Sequence, residues 1–98
     1  MASIVWSEQA YDDLDDLLKY LGQRDFRAAE EYCREIETSC RKLAQFPDFG
    51  RRYDCTYRVL VVRNHLVFYR HDQVDMSVTV TRIPDGRRDL ETLFSKDA

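Results

Sequence analysis

Arginine side chains crowd the C-terminal part of the sequence, where Arg82, Arg87 and Arg88 lie close together and Arg70 lies one predicted strand earlier. A guanidinium group offers a flat set of hydrogen-bond donors that fits phosphate and carboxylate groups in a bidentate way. These arginines therefore predict a contact patch for a phosphate-bearing or acidic partner. The alternative is that they are exposed charges paired with neighbouring acidic side chains, each pair contributing at most about 1 kcal/mol.

Two histidines, His65 and His71, flank the predicted middle strand and adjoin turns. A histidine that acts as a general base needs a neighbour to orient it and a substrate within hydrogen-bond reach, and the sequence around these two supplies neither. We therefore predict that both lie on the surface. The sequence also has no serine–histidine–aspartate series, no glycine-rich phosphate loop and no metal-ligand spacing. No catalytic residue, metal site or cofactor is expected from these patterns.

Three cysteines are present, which is an odd number and argues for free thiols in a reducing compartment. Cys33 and Cys40 share one face of a predicted helix with Ile36, so both are predicted to be small buried residues. Cys55 falls in a predicted loop.

The composition is typical of a globular protein, because 44% of the residues are hydrophobic and only 3 Gly and 2 Pro occur, which excludes disordered and fibrous classes. No apolar run reaches the roughly 18 residues that a membrane span needs. The N-terminal residues lack the basic and apolar regions of a secretion signal. We therefore expect a cytoplasmic protein without a membrane partner, and one domain over residues 1–98.

Two helices are predicted in the first half of the chain. Ser7 is suited to cap the first helix, whose apolar residues recur at three- and four-residue spacing as far as Leu21. Gly22 ends that helix, and Asp25 caps a second one over residues 27–46, which Pro47 stops. The short break between them predicts an antiparallel helical hairpin. An acidic run on the first helix is expected to be a solvated face; it consists of Asp12, Asp13, Asp15 and Asp16.

Strands are predicted at residues 3–6, 57–62, 66–70 and 76–83, which are rich in Val, Tyr, Phe and Thr. The last three are joined by short turns and predict an antiparallel meander, preceded by a polar loop over residues 48–56. The fold class is therefore α+β in the order β-α-α-β-β-β, with a helical hairpin packed on a small antiparallel sheet. A short C-terminal tail or helix over residues 88–94 follows.

The middle strands are apolar on both faces instead of alternating between apolar and polar residues, as in residues 57–62 and 66–69. The helical hairpin can cover only one face of the sheet. The other face needs cover from the tail residues Leu90, Leu93 and Phe94, from a second copy, or from a different protein.

In the order and spacing of these elements the chain resembles the ParE/RelE superfamily of type II toxin–antitoxin toxins over nearly its whole length. The resemblance is carried by the Asp/Leu repeat at 7–21, Ala-Ala-Glu-Glu-Tyr at 28–32, Gly50-Arg51, and the segments 57–62, 66–70, 78–83 and 86–90.

The superfamily has two branches, and particular positions decide between them. RelE-like members are ribosome-dependent mRNA endoribonucleases that use basic residues and often a C-terminal tyrosine, whereas ParE-like members bind and poison DNA gyrase. The arginine early in the middle strand of RelE-like members falls at Leu66, and the C-terminal tyrosine falls near Leu93 or Phe94. The late arginine matches Arg87. The resemblance therefore favours the gyrase-binding branch, although Asp85 stands where ParE-like members often carry a histidine.

This resemblance implies a toxin that is neutralised by a cognate antitoxin in a hetero-oligomeric complex and that targets DNA gyrase, with the ribosome as the alternative target. A non-toxic antitoxin-binding relative is a further alternative. The implied gyrase contacts are Arg82, Arg87, Arg88 and Phe94. The implied antitoxin contacts are Arg58, Leu60, Val62 and Tyr69. The residues implied for a nuclease, in that alternative, are Arg70, Arg82, Arg87 and Arg88.

Overall fold

Two α-helices and five strands are formed by residues 1–86, which are the residues that the computed structural model describes. In chain order they are β1 (Ser3–Trp6), α1 (Glu8–Gly22), α2 (Phe26–Arg41), β2 (Arg51–Arg52), β3 (Arg58–Val62), β4 (His65–Asp72) and β5 (Ser77–Arg82). Within these residues, neither helix combines the length and the apolar character that crossing a bilayer would require.

Both helices begin at the caps that the sequence predicts. The Ser7 hydroxyl accepts a hydrogen bond from the Ala10 N–H at 3.1 Å, and the Asp25 carboxylate accepts one from the Ala28 N–H at 3.1 Å. These side chains satisfy N–H groups that have no partner within the first helical turn. The helix α2 is shorter than predicted, because its last residues tighten into a 3₁₀ turn over Lys42–Ala44 before Pro47.

The strands form one mixed sheet in the order β1-β5-β4-β3-β2. The predicted antiparallel meander of β3, β4 and β5 is confirmed, and so is the α+β class with a helical hairpin on the sheet. Two features differ from the sequence prediction: β1 runs parallel to β5, and Arg51 and Arg52 form a strand instead of a loop. The β2 pairing depends on a backbone turn, in which the Tyr53 N–H donates to the Tyr57 carbonyl at 2.9 Å. The Asp54 carboxylate supports this turn, because its Oδ1 accepts the Thr56 N–H at 2.8 Å and the Tyr57 N–H at 2.7 Å.

The helical hairpin covers one face of the sheet and forms the core with it. The largest fully buried side chains are Ile36, Cys40, Leu43, Val67, Phe68, Tyr69, Val78 and Val80. Phe68 lies on the opposite face from Tyr69, since successive strand residues alternate. There it packs edge-on against Tyr53, with 5.0 Å between the ring centroids. The prediction that β4 is apolar on both faces is therefore confirmed.

Candidate functional site

Arg82 is held against the first helix instead of projecting freely. Its Nε donates a hydrogen bond to Asp13 Oδ2 at 3.1 Å, and the two side chains are only 21% and 18% exposed. The backbone N–H of Ile83 donates to the same carboxylate oxygen at 2.7 Å. Asp13 thus joins α1 to the end of β5, and Arg82 is largely committed to an intramolecular contact.

Asp13 was missed in the sequence, where it was expected to be solvated with the other aspartates of its run. A signal was present, because Asp13 lies three residues after Ala10 and four before Leu17, both of which are buried. That spacing puts it on the buried side of the helix. An aspartate inside an apolar stripe predicts a specific partner, since a partly buried carboxylate needs compensating donors.

Arg70 and Arg82 lie in different environments. Arg82 is held by Asp13 of α1 and, after a register shift in the β4–β5 pairing, lies opposite Phe68, whereas Arg70 pairs with Thr79 and is exposed. Of the residues implied for a nuclease, these two are the ones within residues 1–86, and Arg82 is engaged by a carboxylate. Arg87, Arg88 and Phe94 lie outside the described residues.

The segment leading to Arg87 is fastened beside the turn that joins β3 to β4. The Leu66 N–H donates to the Pro84 carbonyl at 3.0 Å, and the Gly86 N–H donates to the Asn64 carbonyl at 2.6 Å. Asp85 forms an antiparallel backbone bridge with His65. Backbone contacts thus fasten residues 84–86, which lead up to Arg87, to the turn between β3 and β4.

His65 is buried, which corrects the prediction that it lies on the surface. Its Nδ1 lies 2.7 Å from the Tyr32 hydroxyl oxygen, which also accepts the Asn64 N–H at 3.2 Å. Burial raises the pKa of Tyr32. Arg63, in the turn itself, has a positive φ of 52° and lies over the Tyr32 ring at 5.0 Å. A nonlocal contact with α2 therefore takes His65 into the interior, and no sequence pattern around it indicates that contact.

The predicted antitoxin contacts Leu60, Val62 and Tyr69 are buried in the core. Their side chains point towards the helical hairpin because they occupy alternate positions on β3 and β4. Arg58 is engaged within the chain too, since its guanidinium donates to the Gly50 carbonyl at 2.9 Å and lies 3.5 Å from an Asp48 carboxylate oxygen. Within this chain the helical hairpin therefore covers Leu60, Val62 and Tyr69, and their role as antitoxin contacts stays a prediction of the resemblance.

A different apolar surface is open between β1, α1 and α2, and we call it the β1 groove. It encloses about 490 Å³ and is lined by Ile4, Trp6, Tyr11, Leu14, Leu18 and Cys33, with Asp15, Glu37 and Arg41 at its rim. The Trp6 and Tyr11 rings stack with centroids 5.9 Å apart. Among the described strands β1 is an edge strand. An open strand edge beside an apolar groove is suited to binding an added polypeptide segment.

The cysteines occupy the environments that the helical pattern predicts. Cys40 is fully buried and Cys33 is half-buried on α2, whereas Cys55 is exposed, and all three are free thiols. Burial raises the pKa of Cys40 from its ordinary value near 9 to about 12. Among residues 1–86, no three His, Cys, Asp or Glu side chains are grouped so that they could hold a metal ion.

The raised pKa of Cys40 predicts that stability falls in alkaline solution. Below about pH 9 the thiol is neutral in both states, but above it the unfolded chain loses the proton while the folded chain keeps it up to about pH 12. The free energy of unfolding should therefore drop by about 2 kcal/mol more between about pH 8 and pH 10.5 in the parent protein than in Cys40→Ala. Urea unfolding at both pH values measures this, with Cys55→Ala as the matched control. Equal pH slopes for the parent and Cys40→Ala would contradict it.

Comparisons with known proteins agree with this architecture. The sequence model of the family described as "ParE toxin of type II toxin-antitoxin system, parDE" matches residues 4–90. "Toxin RelE2" of Caulobacter vibrioides is 34% identical over 88 residues, which cover 90% of this chain and 99% of that protein. A solved structure titled "Chromosomal ParDE TA system from P. aeruginosa" superposes with a TM-score of 0.73 at 20% identity, covering 87% of this chain and 96% of that chain. The isolated E. coli RelE toxin superposes with a TM-score of 0.64 at 12% identity, covering 99% and 98%.

Proposed function

Because the chain belongs to the ParE toxin family and is a toxin of a type II toxin–antitoxin system, we propose that it acts in the cytoplasm by binding DNA gyrase. The proposed contacts are Arg87, Arg88 and Phe94, in the segment that follows Gly86. In this mechanism the toxin binds and traps a gyrase–DNA intermediate, which stalls replication without cleavage of a bond by the toxin. A cognate antitoxin keeps the toxin inactive in a hetero-oligomeric complex.

The observation that carries the choice of gyrase is that Asp13 occupies Arg82. A nuclease stabilises the charge that develops on one phosphate, which requires its basic groups to converge on a single point. The guanidinium of Arg82 is instead bound to the Asp13 carboxylate of α1, whereas Arg70 on β4 is exposed. Leu66, which is paired with Val61, also places an apolar side chain where RelE-like members carry arginine. Binding without catalysis fits these positions better.

The proposal is tested by a supercoiling assay with purified gyrase and relaxed plasmid. We expect supercoiling to decline as the toxin is added, and linear DNA to accumulate after treatment with detergent and protease. Toxin premixed with its antitoxin is the control and should leave gyrase unaffected. If the toxin arrests growth but leaves gyrase active, the gyrase proposal fails, and cleavage of ribosome-bound mRNA becomes the activity to measure.

We propose the β1 groove as the antitoxin site in place of the buried residues Leu60, Val62 and Tyr69. The N–H groups of Ser3 and Ser7 donate to β5 and the segment before it, at 2.8 Å and 3.0 Å. Because backbone groups alternate along a strand, those of Ile4 and Trp6 face away from β5. On the same side the Ala2 N–H is bound to the Ala44 carbonyl at 2.8 Å, so the open part of the edge begins at Ile4. An extended antitoxin segment could hydrogen-bond to this edge while its apolar side chains enter the groove.

Tyr11 provides a specific test of this site. It is 59% exposed and lines the groove, so Tyr11→Ala should leave the fold intact. Aromatic residues at an interface centre contribute about 2 kcal/mol or more, and the affinity for the antitoxin should fall roughly 30-fold. Isothermal titration calorimetry measures the affinity of each variant for the antitoxin. Tyr20→Ala is the matched control, because Tyr20 is on the same helix, 70% exposed and outside the groove. An equal loss of antitoxin affinity in both variants would exclude the β1 groove as the antitoxin site.

A further inference from the structure

One carboxylate oxygen of Asp13 receives two hydrogen bonds from the end of β5. The Nε of Arg82 donates at 3.1 Å and the backbone N–H of Ile83 at 2.7 Å, and both donors come from residues about 70 positions later in the sequence. Hydrogen bonds to an ionised acceptor are about twice as strong as those between neutral groups. Asp13 therefore provides a charged link between α1 and the end of β5, in addition to the neutral hydrogen bond from the Ser7 hydroxyl to the Thr81 carbonyl at 2.8 Å.

This contact differs from the other ion pairs of the described chain in its burial. The side chains of Lys19 and Asp15 are 73% and 57% exposed, so solvent screens their attraction. Asp13 and Arg82 are 18% and 21% exposed. Removing one partner of such a pair leaves the other charge poorly solvated, which makes the arrangement sensitive to substitution. Asp12 and Asp13 are both aspartates on α1. They differ only in the helix face that they occupy, which leaves Asp12 exposed and brings Asp13 to Arg82.

The Ile83 N–H is the point where β5 ends and the path towards the C-terminal arginines begins. Ile83 is buried, and the next three residues are each tied to the β3–β4 turn region through Leu66, His65 and Asn64 in turn. The Asp13 carboxylate thus holds the first residue of a short segment whose last described residue, Gly86, directly precedes Arg87.

We propose that Asp13 is a positioning residue, which fixes the Ile83 end of the short segment that leads to Arg87 and Arg88. It acts through Arg82 and the Ile83 amide and does not itself contact the target. The effect on the target rests on the proposed gyrase function, but the positioning can be measured on the free protein. In this proposal Arg82 helps to hold the target-binding segment in place and does not contact the target.

The test compares Asp13→Asn and Asp13→Ala with the matched pair Asp12→Asn and Asp12→Ala on the same helix. The Asn variant keeps the shape and one acceptor oxygen, and it guards against a loss of folding in the Ala variant. In the free protein we expect the Asp13 variants to shift the amide resonances of Ile83 and residues 85–88 and to speed exchange of the Ile83 amide about tenfold or more, whereas the Asp12 variants do neither.

The concentration that half-inhibits gyrase should be about tenfold or more higher for each Asp13 variant than for the parent toxin. The affinity of each variant for the antitoxin should equal that of the parent protein. Unchanged amide resonances of residues 85–88 would overturn the proposal. So would a parallel loss of antitoxin affinity and gyrase inhibition, because that result indicates a general structural role. If the resonances shift but the parent toxin itself leaves gyrase active, the gyrase function fails and the positioning role stands.

Discussion

Replacing Tyr69 with alanine is expected to lower the free energy of unfolding by about 3–5 kcal/mol, which is a large part of the stability of a small domain. Tyr69 is 0% exposed and lies in the core between the sheet and the helical hairpin. Its hydroxyl donates to the Pro47 carbonyl at 2.7 Å and accepts the Gly50 N–H at 2.9 Å. Alanine therefore removes both a large apolar contact and the link between β4 and the loop before β2.

The variant Tyr69→Phe separates these two contributions. It keeps the ring but deprives the Gly50 N–H and the Pro47 carbonyl of their partner, and about 1–3 kcal/mol should be lost. The loop approaches the ring closely, since a Cβ on Gly50 would lie 2.7 Å from the Tyr69 hydroxyl oxygen. Urea unfolding measures all variants, with Tyr20→Ala expected to stay within about 0.5 kcal/mol of the parent. A Tyr69→Ala variant as stable as Tyr20→Ala would contradict this account of the core.

Replacing Arg87 and Arg88 together with alanine is expected to abolish growth arrest and to raise the concentration for half-inhibition of gyrase at least about 30-fold. Truncating charged groups that pair across an interface costs about 2 kcal/mol or more, which corresponds to that factor. Both residues follow directly after Gly86, whose N–H is bound to the Asn64 carbonyl at 2.6 Å. The double variant should fold normally and bind the antitoxin as the parent does.

The matched control is Arg24→Ala with Arg27→Ala, which removes the same charge from exposed positions around the junction of α1 and α2. This control tests whether a loss of growth arrest or of gyrase inhibition follows from the change in net charge, which is −3 in the parent protein. Growth curves after induction and the supercoiling assay measure both double variants. Full toxicity of the Arg87/Arg88 variant would remove the C-terminal arginines from the target-binding site.

Much of the local structure could be predicted from the sequence. Ser7 and Asp25 cap the helices as expected, because a short polar side chain before an apolar stripe satisfies free N–H groups. The unbroken apolar residues of β4 correctly indicated a strand with both faces packed, as the burial of Phe68 and Tyr69 shows. The resemblance to ParE and RelE toxins was likewise confirmed, because it depended on the order and spacing of these elements.

The candidate site was predicted less well. The resemblance implied Leu60, Val62 and Tyr69 as antitoxin contacts, and the structure buries these side chains in the core. Alternation along a strand tells which residues share a face but not which face the helices cover. His65 was expected outside, although Tyr32 from α2 takes it into the interior. The β1 groove could not be foreseen at all, because it exists only once β1 lies beside α1 and α2.

Residue types and spacing alone therefore determined the helices, the meander and the family of this protein, because caps, turns and periodicity act between residues close in the chain. The tertiary structure decided that β1 pairs in parallel with β5 and that Arg82 is bound to Asp13 instead of being free. Those contacts join residues about 70 positions apart. Helical spacing places Asp13 on the buried side of α1, but no local pattern identifies Arg82 as its partner.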